Sequence, residues 1–280
     1  MFRLRSDERS WETRQRQFTW CACPSGIQVT PVKDLRARVR PRAKLTGPAH
    51  SSDEVFLTHA ARALWAASGM LALVALWALF VPAEPLPFER SWSHAMHELQ
   101  TPSLTHLALV FNWLGHGIGR ALTITAIGLV LLRAHRWLAA SAFFAAETLA
   151  PLASSLLKVL VGRTRPPDGL VHPTGASFPS GHVTYAGATC VAVVLLFATP
   201  GGHRRWWWTL ASTVVVGMAW SRTYLQVHWL MDVVAGALLG SGVSLFVFAV
   251  AQLRLDRPSK ARPLRPRNVG DSNGSNHAGT

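Results

Sequence analysis

The chain is 280 residues long, 49% hydrophobic and only 15% charged, with a mean hydropathy of +0.21 that already includes long polar ends. Soluble globular domains carry about 25% charged residues, so this composition excludes a disordered chain or a small disulfide scaffold and points to a membrane protein. The formal charge of +14, from 28 Lys and Arg against 14 Asp and Glu, suits either a nucleic acid or an anionic membrane surface.

Residues 1–58 are rich in Arg, Pro, Ser and Gly and read as a disordered, basic, cytoplasmic segment. The same character is consistent with translation starting downstream of Met1. Up to Arg62 this end holds 12 of the 28 basic residues. Neither it nor the C-terminal tail interleaves aromatics with basic residues on a folded face, so no nucleic-acid partner is expected. Cys21 and Cys23, one residue apart, form neither a redox pair nor a zinc half-site. The first apolar run begins near Ala63, too far from the start for a secretory signal, and reads as a first membrane anchor.

Six apolar segments follow, at residues 63–81, 104–132, 137–161, 183–199, 206–225 and 228–253; a bilayer core requires about 20 apolar residues per helix. The second is overlong, and Gly115, Gly117 and Gly119 mark a break in it that leaves 121–132 as its firm part. Ahead of that break, residues 82–119 form an outward connection of modest amphipathic character, in which His94, His97 and Glu98 share a helical face. Their spacing matches no metal signature, so an interfacial helix is expected there. Trp137 and the run Trp206, Trp207 and Trp208 suit interfacial anchors. Cys190, inside an apolar run, reads as a small core residue. Glu147, in mid-span about three turns from Lys158, reads as a structural group within the bundle, with proton relay as its alternative. Residues 253–280 form a second disordered basic tail, whose Asn273-Gly274-Ser275 sequon has no glycosylation meaning on the cytoplasmic side. Arg outnumbers Lys 24 to 4, which suggests a GC-rich bacterial genome.

Basic residues orient the bundle. The termini and the loops after the second and fourth spans hold 22 of the 28, so both ends are expected in the cytoplasm of a bacterial inner membrane. The remainder, Arg90, Arg120, Lys158, Arg163, Arg165 and Arg222, lies on the outer side and breaks that pattern. Ionisable residues kept at such positions are functional candidates. Lys158, Arg165 and Arg222 gather positive charge at one membrane face, where Arg offers a planar fork and Lys a point charge to phosphate oxygens. Pro179-Ser180-Gly181-His182 opens the fourth span, and a helix N-terminus with a small residue is a ready anion site. His228 and Asp232 stand four apart on one face of the sixth span. The carboxylate would fix the ring tautomer and free the other nitrogen as nucleophile or base, while His182 could protonate a leaving oxygen. The set describes phosphotransfer through a phosphohistidine. No carboxylate cluster of the kind that holds Mg²⁺ accompanies it, so no metal or cofactor is expected.

Lys158-x6-Arg165-Pro166, Pro179-Ser180-Gly181-His182 and Ser221-Arg222-x5-His228-x3-Asp232 together resemble the three-part signature of the type 2 phosphatidic acid phosphatase superfamily, which also includes the vanadium haloperoxidases. The resemblance implies an all-α, six-transmembrane-helix bundle over residues 59–252. It implies His228 as nucleophile, Asp232 as its partner and His182 as general acid, with Lys158, Arg165, Ser180, Gly181 and Arg222 binding phosphate. Arg163 lies outside the strict signature and is expected as a headgroup contact. The implied activity is hydrolysis of a lipid phosphate or lipid pyrophosphate, such as phosphatidic acid, phosphatidylglycerol phosphate or polyprenyl pyrophosphate, at the outer face of the bilayer. Transfer of the phosphoryl group or phospho-headgroup to an acceptor alcohol is the alternative, and a non-catalytic lipid-phosphate binder a more distant one.

Overall fold

The computed structural model describes residues 52–198, 201 and 203–255, with side chains from 58 to 254. The expectations for residues 1–51 and 256–280, Cys21, Cys23 and the sequon among them, lie outside the described residues. Eight helices follow in order: α1 (Ser52–Phe80), α2 (Pro87–Glu98), α3 (Pro102–Leu114), α4 (Gly117–Arg133), α5 (Trp137–Val161), α6 (Gly181–Phe197), α7 (Arg204–Tyr224) and α8 (Leu230–Leu255). The helical body therefore extends beyond residues 59–252 at both ends.

This is an integral membrane protein. Three of the described helices are long and apolar enough to cross a bilayer, at Thr58–Phe80, Trp137–Val161 and Leu230–Arg254. The bent pair α3 and α4 adds a fourth candidate span, whereas α6 is apolar but only 17 residues long. Each expected span is present as a helix or, for the second, as two. The break falls at Gly115 and His116 and turns the chain by 56°. Gly117, at φ +50°, takes the left-handed conformation that lets the chain re-enter a helix there.

Local chemistry sets the other ends. Pro87 and Pro102 occupy first helical turns, where the missing N–H costs nothing. Thr101 caps α3 by accepting from Leu104 N at 3.4 Å. Gly162, at φ +63°, closes α5 in the left-handed region.

The bundle is centred on α6 against α8, with α1, α5 and α7 packed around them. Small residues let these two backbones nearly touch. A Cβ on Gly236 would meet Ser180 O at 2.6 Å, and one on Gly240 would meet Thr184 O at 1.9 Å. Such close approach through small residues is a common way for membrane helices to associate, since lipid offers no hydrophobic drive between them. Its consequence is local: Ser180 N donates to Asp232 O at 2.9 Å, so the starts of α6 and α8 are stitched together. Deeper in the bundle, Phe143, Leu131, Ala192, Leu196 and Phe248 pack into an apolar layer. Glu147 is buried there and accepts from Thr189 Oγ1 at 2.7 Å, while Arg120 reaches only its backbone carbonyl at 3.3 Å.

Candidate active site

The C-terminal ends of α5 and α7 meet the N-terminal ends of α6 and α8, which gathers all three sequence patterns in one place. His228 lies just before α8 and Asp232 in its first turn. Arg165 Nη1 is 3.1 Å from His228 Nε2 and donates to Val227 O at 2.7 Å. A guanidinium can only donate, so Nε2 must present its lone pair and the ring proton belongs on Nδ1. Nδ1 faces Asp232 Oδ2 at 3.5 Å, long for a hydrogen bond; catalytic contacts of this kind commonly tighten when substrate binds. Burial holds the His228 pKa down at about 4, against the counteracting pull of Asp232, and the cationic Arg165 and Lys158 lower it further. The ring is therefore neutral at neutral pH and its Nε2 is nucleophilic.

The cations surround that nitrogen. Arg165 donates from Nε to Gly175 O at 2.9 Å and from Nη2 to Ala176 O at 3.1 Å. Burial lowers its pKa while Asp232 raises it, with a net fall from the ordinary guanidinium value that leaves it charged. Lys158 Nζ donates to Ala176 O at 2.7 Å and Ser177 O at 3.3 Å. Both heads are thus held by backbone carbonyls of the loop between α5 and α6, which also carries Phe178 and a cis bond to Pro179. Arg222 is nearly fully buried and donates from Nη1 to Asn112 Oδ1 at 2.9 Å. Its Nη2, together with Ser180 Oγ and His182 Nε2, is buried without a hydrogen-bond partner. Unmatched buried donors and acceptors are costly, and a phosphate would match these.

Sequence reasoning missed the residues that support this centre. His182 stacks on His116, with ring centroids 5.8 Å apart and planes inclined by 10°. Gly115 lies against the same ring, where a Cβ would come within 2.6 Å of His182 Cδ2. Gly115 and His116 come from the break in the second span, and Asn112 from the last turn of α3 just before it. The glycines signalled that break without indicating what it faces.

Arg163 requires a correction. Expected as a headgroup contact, it is fully buried and faces inward. Its Nη1 donates to Asp232 Oδ1 at 2.8 Å and to Glu89 Oε1 at 3.2 Å, and its Nη2 to Glu89 Oε2 at 2.6 Å. Burial opposes its charge, but Glu89 and Asp232 outweigh that and raise its pKa above the ordinary guanidinium value. Arg163 therefore orients Asp232, because a guanidinium with two carboxylates cannot turn outward without leaving both unpaired. His94, His97 and Glu98 are exposed on α2, and among the described residues no group of three or more His, Cys, Asp and Glu could hold a metal ion.

Residues 138–256 match the PAP2 superfamily. The matched stretch spans α5 to the end of α8 and includes every residue of the three patterns. An undecaprenyl-diphosphatase of Sulfolobus acidocaldarius is 38% identical over 88 residues, which are 31% of this chain and 38% of that relative. The chain thus aligns with well under half of the curated relative's length. Among solved structures, a transmembrane PAP2-type phosphatidylglycerolphosphate phosphatase from Bacillus subtilis superposes with a TM-score of 0.60 at 22% identity, over 70% of this chain and 100% of that one. Aquifex aeolicus LpxE superposes with a TM-score of 0.50 at 19% identity, over 59% of this chain and 97% of that one. These likenesses show that the chain shares the all-helical fold of those two proteins.

Proposed function

We propose that the protein is a lipid phosphate phosphatase of the bacterial inner membrane, acting at the outer face with both termini in the cytoplasm. The observation that carries this reading is Nε2 of His228, an unprotonated ring nitrogen whose lone pair is turned to the Arg165 guanidinium 3.1 Å away, where a phosphoryl group would be bound. In the first step Nε2 attacks phosphorus. The N–P bond forms as the P–O bond to the lipid breaks, and His182 gives its proton to the departing oxygen. Asp232 stabilises the positive charge that the ring then carries. In the second step water attacks phosphorus, the N–P bond breaks, His182 takes the water's proton and inorganic phosphate departs. Lys158, Arg165 and Arg222, with Ser180 and the backbone at Gly181, bind the phosphoryl oxygens as charge redistributes.

The substrate class is a lipid phosphate or lipid diphosphate, and the bilayer delivers it. The test is phosphate release by purified protein in detergent, with EDTA present, from phosphatidic acid, phosphatidylglycerol phosphate and a polyprenyl diphosphate. Release from at least one, abolished by His228→Ala, is expected. No release from the panel, or full activity in the variant, would overturn the reading. A periplasmic reporter fused after Leu253 should be inactive; an active fusion would invert the topology.

A further inference from the structure

Glu89 lies on α2, outside the residues matched to the family, and its side chain is fully inaccessible to solvent. Both oxygens are fully engaged. Oε1 accepts from Arg163 Nη1 at 3.2 Å and from Met231 N at 3.1 Å, in the first turn of α8. Oε2 accepts from Arg163 Nη2 at 2.6 Å and from Leu86 N at 3.0 Å, at the start of its own helix. One carboxylate thus caps two helix N-termini, where negative charge is favourable, and holds a buried guanidinium with both oxygens.

Neutralising Arg163 does not require it. Asp232 already lies 2.8 Å from Arg163 Nη1, and burying a second carboxylate carries a desolvation cost. Its effect is on how Asp232 distributes its charge. With Glu89 matching Arg163, Oδ1 of Asp232 is fixed while Oδ2 accepts from Trp229 N at 3.0 Å and faces Nδ1 of His228. Without Glu89, Asp232 would be the sole counterion of Arg163 and could do less for the ring when it becomes positive. A second link connects α2 to the same loop: Gln226 Nε2 donates to Ser93 O at 2.9 Å, and Ser93 Oγ bonds Gln226 Oε1. Gln226 sits two residues before His228 at φ +55°, a left-handed conformation that a non-glycine residue adopts at a cost.

We infer that Glu89 is a positioning residue for the reaction of His228, acting through Arg163 and Asp232. The inference rests on the phosphatase reading only for its kinetic test. Glu89→Gln should lower kcat by roughly 10- to 100-fold, the usual cost of losing a group one step behind the reacting ones, with KM changed by less than about twofold because the phosphate-binding cations keep their places. Glu89→Asp keeps the charge but is too short to span both Arg163 and Met231 N, and should fall between the variant and wild type.

Binding separates positioning from simple destabilisation. Orthovanadate bonds covalently to a histidine nitrogen, whereas inorganic phosphate is held by the cations alone. Folded Glu89→Gln should lose about 10-fold or more in orthovanadate affinity but less than about twofold in phosphate affinity; should it not fold, Glu89→Asp should show the same selective loss on a smaller scale. Wild-type kcat in a folded Glu89→Gln protein, or equal loss of both anions in whichever variant folds, would overturn the inference. If wild type cleaves no lipid phosphate, the phosphatase reading fails on its own, and the ratio of the two anion affinities still decides the role of Glu89.

Discussion

The site has two sides that differ in how they are made. One is drawn from residues 158–232, where α5 to α8 contribute Lys158, Arg165, Ser180, Gly181, His182, Arg222, His228 and Asp232 within the PAP2 match. The other is drawn from residues 89–116, ahead of that match, where α2 and the broken α3–α4 rod contribute Glu89, Asn112, Gly115 and His116. The first side carries the proposed phosphate contacts and is built at helix ends. The second touches the first side's residues: Glu89 holds Arg163, Asn112 holds Arg222, and Gly115 and His116 flank His182. Chemistry is thus concentrated in one part of the chain and its geometric support in another.

Substitutions on the two sides should separate these roles. The largest effect expected, after loss of His228 itself, is from Arg222→Gln, which removes a charged donor from the transferring phosphoryl group and should reduce kcat/KM by about 100- to 1,000-fold. Its counterpart on the supporting side, Asn112→Ala, leaves the Arg222 charge in place but removes its 2.9 Å partner. A hydrogen bond to a charged group contributes about 1.5 to 3 kcal/mol, so phosphate-release kinetics should show a loss of roughly 10- to 100-fold. If Asn112→Ala equalled or exceeded Arg222→Gln, the division between contact and support would fail.

Gly240→Ala tests the framework that both sides share. The methyl group would meet a backbone carbonyl, Thr184 O, at 1.9 Å, with no side chain able to yield. Overpacking costs about 1 to 3 kcal/mol, so thermal unfolding in detergent should occur at lower temperature, and the displaced starts of α6 and α8 should lower kcat. Gly115→Ala meets the edge of the His182 ring and the flexible end of Met218, both side chains that can shift. A smaller fall in kcat, with stability nearly unchanged, is expected.

The smallest effect concerns pH. Burial depresses the His228 pKa from an ordinary 6.5 to about 4, so the unfolded chain takes up this proton at higher pH than the folded protein. The corresponding stability is fully present above about pH 6.5 and is lost as pH falls through about 4, with an upper bound of about 3 kcal/mol. Thermal melts of wild type between pH 7 and 4 should decline more steeply than those of His228→Asn. Parallel declines would mean that another group controls the acid limb.

The contrast between the two sides also explains what could be read without coordinates. Lys158, Arg165, Ser180, Gly181, His182, Arg222, His228 and Asp232 come in short runs whose spacing follows helix ends, so local periodicity and charge placement were enough to group them. Arg163 is two residues from Arg165, and that proximity suggested a shared exposure which the fold reverses. Residues two apart in an extended segment would share a side, but here Arg165 meets His228 while Arg163 is drawn to the two buried carboxylates of Glu89 and Asp232. Glu89 carried only a weak signal, an acidic residue in the first turn of a helix opening with Pro87. That pattern announces a cap, and it does cap α2 through Leu86 N, but its contact with Arg163 spans 74 positions. Likewise, three glycines announced a break, but not that the broken end would lie beside His182.

The sequence by itself determined the membrane setting, the helical segments and the three residue patterns that the fold gathers at one place, because each depends on composition and on residues within a turn or two of one another. Tertiary structure alone decided that Arg163 turns inward, that Glu89 and Asn112 stand behind Asp232 and Arg222, and that the bend between α3 and α4 meets His182. Those contacts join residues 66 to 142 positions apart, and they form because glycines let α6 and α8 approach backbone to backbone and buried charges must find partners wherever the packed helices supply them.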